Sequence, residues 1–183
     1  MSVRLSAPAP PTLLASASLR STARIACGLT GPSDTAITRP RKYPSSSGRV
    51  LDGDTFVAEI RVWFSQAVVE RVRIAGIDAP EIKQPHGTLA RSALERKVGH
   101  RRVAVESRGY DKHGRLLGKL WLDERDVCRE MVAEGHAWAS GRIAPDPDLV
   151  DAESLARRER RGLWAEASPE EPSQWRAAHP RVP

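Results

Sequence analysis

Cysteine is scarce: Cys27 and Cys128 are the only two in 183 residues. That excludes a disulfide framework and a cysteine-built metal centre. Cys128 lies in an apolar-periodic segment and reads as a buried packing residue, because free cysteine packs as a small hydrophobe. Cys27 lies in a tail-like segment, so a bridge between the two is not expected. No apolar run approaches 18 residues, so no helix is expected to cross a membrane. His86, His100, His136 and His179 fall at no metal-ligand spacing and receive no role. Acids are also missing from the start of the chain, where none precedes Asp34.

What is present points to a single soluble domain with tails. The charged fraction is 28% and the hydrophobic fraction 40%, as in an ordinary globular protein. The net charge of +6 suggests nucleic acid, but its location weakens that argument. Residues 1–47 hold Arg4, Arg20, Arg24, Arg39, Arg41 and Lys42 against Asp34 alone, whereas residues 48–167 hold 21 basic and 20 acidic side chains. Phosphate binding must therefore rest on placed arginines rather than on bulk charge. The Ser-, Ala-, Pro-, Thr- and Arg-rich segment 1–47 reads as a disordered tail or a targeting segment. Thr12 to Leu19 is a short apolar stretch, and Arg24-Ile25-Ala26-Cys27 partly matches a lipoprotein cleavage site. The compartment stays open, leaning to secretion or the periplasm, with the cytoplasm as the alternative.

Order is expected from Gly48, giving a domain over 48–167 and an extension over 168–183. Phe56–Phe64 and Val68–Ile77 read as half-buried strands joined by a turn at Ser65-Gln66-Ala67. Val103–Glu106 and Leu116–Leu122 read as two more. Thr88 is a candidate cap for a helix over Leu89–Val98, and Asp126 for one running to Glu134. Asp146-Pro147 starts a third, which Gly162 ends. Short strands that cannot stack as βαβ units favour a small closed barrel with helices to one side.

Asp52 and Asp54 are two apart in a turn-to-strand context and can face the same side. Asp78 and Glu81 flank Pro80 at the end of another strand. If the strands pair, these carboxylates converge, and clustered carboxylates repel unless a hard cation holds them. Taken alone, Asp52-Gly53-Asp54 is as readily a solvated turn, and the spacing excludes an EF-hand. Arg73 and Arg115 offer planar, permanently charged donors suited to a phosphodiester gathering charge. Either one alone is more often a surface charge. Glu81 is the carboxylate placed to orient or deprotonate a water.

Together, Val50-Leu51-Asp52-Gly53-Asp54-Thr55, the run 71–81 with Arg73, Asp78 and Glu81, and Asp111-Lys112-His113-Gly114-Arg115 resemble the staphylococcal nuclease (thermonuclease) family. Asp126–Gly135 is similar to that family's second helix, and Arg160–Trp164 to the end of its third. The resemblance covers about 48–165. It implies an α+β fold, a five-stranded OB-type β-barrel with three α-helices packed to one side. It implies a Ca²⁺-dependent phosphodiesterase that hydrolyses DNA and/or RNA and leaves 3′-phosphate ends; separately, the chain is expected to be a monomer. Asp54, Asp78 and the backbone carbonyl of Ala79 would bind Ca²⁺ directly, with Asp52 one layer behind. Arg73 and Arg115 would clamp the phosphate. Glu81 would be the general base or water orienter, and Lys112 and His113 would contact substrate.

Two departures bear on substrate. His113 stands where the family usually has tyrosine; it reads as a pH-dependent phosphate donor or as a solvent-facing turn residue. The run Ser140–Pro145 carries no aromatic, although base stacking contributes about 1–3 kcal/mol per base. Trp138 is a candidate replacement, but a buried core tryptophan is the stronger reading. The basic run Arg157–Arg161 reads as a solvated face rather than a phosphate track. Two competing functions are a non-catalytic OB-type module that binds nucleic acid or protein, and an exported enzyme that trims small nucleotide diesters.

Overall fold

The computed structural model describes residues 42–61, 66–141 and 146–180. The tail before Lys42, with Cys27 and the candidate targeting signals, lies outside these residues, as do 62–65, 142–145 and 181–183. In chain order the elements are β1 (Lys42–Val50), β2 (Thr55–Arg61), β3 (Ala67–Ile74), β4 (Ile77–Asp78), α1 (Gly87–Val98), β5 (Arg102–Tyr110), β6 (Leu116–Leu122), β7 (Arg125–Asp126), α2 (Val127–Ala133), β8 (Trp138–Ala139), α3 (Pro147–Arg158) and α4 (Pro172–Ala178). A 3₁₀ turn, Gly162–Ala165, lies between α3 and α4.

Alternation makes the barrel. Phe56, Ala58 and Ile60 of β2 point inward, and Leu116, Gly118, Leu120 and Leu122 of β6 do the same. The strands run β3-β2-β1-β5-β6, and a parallel pairing of β3 with β6 closes the cylinder; its other contacts are antiparallel. The result is the expected closed five-stranded OB-type barrel. Val50, Phe56, Val72, Leu94, Leu120 and Met131 form its fully buried centre. Cys128 is buried there as well, and burial pushes its thiol up to about 12.

Helix placement relies on polar ties. Asp126 and Asp146 cap α2 and α3, each accepting from a backbone amide two or three residues on. Lys119 of β6 bridges both caps, at 2.8 Å from Asp126 and 3.3 Å from Asp146. One barrel lysine thus fixes the starts of two helices.

The structure departs from the sequence reading in several places: the strand read as Val68–Ile77 is divided into β3 and β4, and that read as Val103–Glu106 runs from Arg102 to Tyr110. Strand β1 begins at Lys42, ahead of the Gly48 at which order was expected to start. The Ser-rich start of β1 looks tail-like, yet Ser45 and Ser47 are buried with their hydroxyls bonded to the carbonyls of Tyr43 and Val98. Satisfied small polar side chains can line a barrel strand without raising its hydrophobicity. The cap of α1 is His86, with φ 66°, rather than Thr88. Among the described residues there are four α-helices rather than three, because the C-terminal extension forms α4, with Pro172 in its first turn.

Candidate active site

Sheet register brings the motifs together. Thr55 of β2 pairs with Arg73 of β3, and Arg73 pairs on its other side with Leu117 of β6. The 50–55 corner and the 111–115 loop therefore flank the strand that carries Arg73. The amide of Ile74 donates to the carbonyl of Asp54 at 2.8 Å. Gly76, with φ 82°, then turns the chain into β4, which ends at Asp78 and pairs with β8. Gly53 is required at the corner, since a Cβ there would lie 2.6 Å from Ala79 Cβ and 2.8 Å from Ala90 Cβ.

Arg73 is the hub. Its Nη1 donates to the carbonyls of Ile74 (2.7 Å) and Ile77 (2.9 Å). Its Nη2 lies 3.0 Å from Asp78 Oδ1 and 3.2 Å from Asp54 Oδ2. Three hydrogen bonds and an ion pair to Asp54 thus tie the two terminal nitrogens to the fold, and among the described residues the Nε–H has no protein partner. The two carboxylates meet on a single nitrogen, Nη2.

Asp54 is almost wholly buried. Its Oδ2 accepts from the Ala79 amide at 2.7 Å and its Oδ1 from the Thr55 hydroxyl at 3.0 Å. Burial pushes the Asp54 carboxyl up to about 7 despite Arg73, and the negative charges of Asp52 and Asp78 add to the rise. Asp52 sits behind it, with Oδ1 accepting from the Asp54 amide at 3.1 Å. A buried carboxylate crowded by like charges, with hard oxygen atoms only, is the chemistry that a Ca²⁺ or Mg²⁺ ion relieves. Among the described residues no three His, Cys, Asp or Glu side chains surround one point. The protein's share of such a shell would be Asp54, Asp78 and the Ala79 carbonyl, the remainder coming from water or phosphate. On these grounds the residues fit a hard divalent cation.

Glu81 stands on the loop after β4. Its amide donates to Gln84 Oε1 at 3.1 Å, and Gln84 is itself buried. Gly87 closes this loop tightly, because a Cβ there would lie 1.8 Å from the Glu81 carbonyl oxygen. A residue that sequence reasoning missed reaches the same group. Arg176 of α4 places Nη2 at 2.8 Å from Asp78 Oδ2, and Nη1 at 3.2 Å from Asp78 Oδ1 and 3.1 Å from Glu81 Oε1. It falls outside every motif, in an extension whose position the sequence left open.

The 111–115 loop is braced internally. Asp111 Oδ1 accepts from the amides of His113 (2.8 Å) and Arg115 (3.0 Å), and Oδ2 from Arg115 Nε at 2.8 Å. Burial opposes it, but these donors hold the Asp111 carboxyl below its usual range. Among the described residues, Arg115 pairs with Asp111 rather than with Asp54 or Asp78. Lys112 and His113 are exposed. Trp138 is buried edge-on against Trp164, with ring centroids 5.2 Å apart, and offers no stacking face. Arg157 to Arg161 are exposed, Arg157 lying over the Trp164 ring at 3.9 Å.

Residues 71–166 match the staphylococcal nuclease homologue family, over half of the chain. The chain belongs to that family. Protein ParB of Escherichia coli is 40% identical over 140 residues, spanning 70% of this chain and 76% of that one. Micrococcal nuclease of Shigella flexneri is 36% identical over 141 residues, or 71% of this chain and 78% of that one. The probable staphylococcal-like nuclease CAN2 of Oryza sativa subsp. japonica is 37% identical over 106 residues; the matched part is 58% of this chain but 29% of that longer protein. The family match includes Arg73, Asp78, Glu81 and Arg115 and ends before Arg176. Asp52 and Asp54 precede the matched range, and the barrel register joins them to it.

Proposed function

We propose that this staphylococcal nuclease homologue is a Ca²⁺-dependent phosphodiesterase that hydrolyses DNA and/or RNA and leaves 3′-phosphate ends. The observation that carries this reading is the convergence of Asp54 and Asp78 on Arg73, with Glu81 on the adjoining loop. Relatives named nucleases support it from outside.

When bound, a divalent cation supplies Lewis-acid polarisation of the phosphodiester and a template for the water. Asp54 and Asp78 would hold it, with the Ala79 carbonyl, and Asp52 supports Asp54 by accepting from its backbone amide. Glu81 orients the attacking water in line with the leaving oxygen or takes its proton. Arg73, through its uncommitted Nε–H, and Arg115, released from Asp111, donate to the non-bridging oxygens as charge builds there. Lys112 and His113, exposed beside Arg115, meet the adjoining phosphate.

The test is incubation with single- and double-stranded DNA and RNA in Ca²⁺, Mg²⁺ or EDTA, with product ends identified. Cleavage in Ca²⁺ and 3′-phosphate ends are expected. Glu81→Gln is expected to lower kcat by about 10²–10³-fold, the scale of one lost transition-state contact. A protein that binds these polymers but cleaves none in Ca²⁺ would instead be a non-catalytic OB-type module.

A further inference from the structure

The acid cluster carries a cation that the reaction does not call for. Arg176 grips both oxygens of Asp78 and one of Glu81. A carboxylate oxygen has two lone pairs. Asp78 Oδ1 spends both, one on Arg73 Nη2 at 3.0 Å and one on Arg176 Nη1 at 3.2 Å. Asp78 Oδ2 spends one on Arg176 Nη2 at 2.8 Å. A divalent cation needs oxygens at about 2.0–2.6 Å, and a water oriented by Glu81 needs one of its carboxylate oxygens. One guanidinium contests both groups, lying on both oxygens of Asp78 and on one of Glu81.

This is a built contact rather than a stray surface pair. The segment that carries Arg176 is anchored a second time on the same loop: Gln84 Nε2 donates to the Glu170 carbonyl at 2.6 Å while Gln84 Oε1 accepts from the Glu81 amide. Trp175, half-buried and next to Arg176, stacks on His179 at 3.9 Å and braces the short helix. Arg176 itself is 45% exposed, and among the described residues its side chain bonds only to Asp78 and Glu81. Among the described residues no backbone carbonyl holds it in place.

We propose that Arg176 is a tethered competitor of the divalent cation: docked, α4 closes the acid cluster, and a cation binding to Asp78 expels the guanidinium and undocks α4. The proposal rests on the cation-binding reading above. It makes the C-terminal segment a latch that sets the cation concentration at which the site opens.

Calorimetric titration of Ca²⁺ into the full chain, Arg176→Ala, Arg176→Lys and a chain ending at Glu170 tests it without substrate. Arg176→Ala and the shortened chain are expected to bind Ca²⁺ on the order of tenfold more tightly, the scale of a half-exposed charge-assisted pair. Arg176→Lys, which keeps the charge but not the fork, is expected in between. Hydrogen exchange of the 172–178 amides in the full chain is expected to quicken when Ca²⁺ is added. Equal Ca²⁺ affinity in all four proteins would overturn the latch and leave the cation site standing. Weaker binding in Arg176→Ala would overturn it too, making Arg176 a partner of the bound state. No Ca²⁺ binding by any of them would remove the cation reading and the latch together.

Discussion

Replacing Arg73 with alanine tests the central feature of the site. The side chain is 16% exposed and faces carboxylates that are 8% (Asp54) and 15% (Asp78) exposed. Removing one partner of a buried ion pair costs about 3–5 kcal/mol, because the other charge is left in a poor dielectric. Here two charges and the carbonyls of Ile74 and Ile77 lose a donor. One relief is available, since the Asp54 carboxyl already sits at about 7 and loses its main opposing charge with Arg73. An acid whose folded pKa is raised stays neutral in the fold as pH falls, so the deficit shrinks in acid. Urea unfolding in EDTA should therefore show a loss of about 3–5 kcal/mol at pH 8 and clearly less at pH 5.5. Arg73→Ala combined with Asp54→Asn should be less damaging than the sum of the two changes. A loss below about 1 kcal/mol at pH 8, the range of a surface pair, or one equal at both pH values, would refute the hub assignment.

Two further outcomes follow from local geometry. Gly87→Ala would place a Cβ 1.8 Å from the Glu81 carbonyl. It should displace the Glu81 loop and lower kcat more than KM, with an overpacking cost of about 1–3 kcal/mol; unchanged stability and turnover would contradict the close approach. His136 stacks on His86, Nδ1 to Nε2 at 3.1 Å, and burial together with His86 pushes it down to about 4. Its contribution is present above pH 6.5 and lost as pH falls towards 4, on the order of 1–2 kcal/mol after allowance for partial exposure. His136→Gln should flatten that part of a urea stability–pH profile, and an unaltered slope would show that the pair does not carry it.

The barrel was legible because its strands obey a two-residue period, and the caps Asp126 and Asp146 because capping is local chemistry. The acids and Arg73 were legible for a different reason. They lie within a few residues of strand ends, so pairing alone sets their convergence. Three things were hidden. The start of β1 was concealed by serines whose polarity is cancelled by distant carbonyls, such as that of Val98. The cap at His86 follows from the tight Gly87 turn rather than from side-chain capping. The reach of α4 depends on contacts 95 and 98 residues apart in the chain, from Arg176 to Glu81 and Asp78, and no local pattern records contacts of that range.

The two arginines at the acid cluster differ in what holds them, and that difference separates structure from control. Arg73 spends two bonds on backbone carbonyls, so its position survives whatever happens to the carboxylates. Among the described residues Arg176 bonds only to carboxylate oxygens, and it is almost three times as exposed, 45% against 16%. Each bond it makes is one that a cation would contest. A guanidinium held by the fold organises the site in every state, whereas one held only by the ligand's own binding groups is present in proportion to the ligand's absence. Arg73 is of the first kind, and its place on a paired barrel strand is why it can be read from the sequence. Arg176 is of the second kind. Its effect should appear in the cation concentration at half-saturation and not in the turnover of the saturated enzyme.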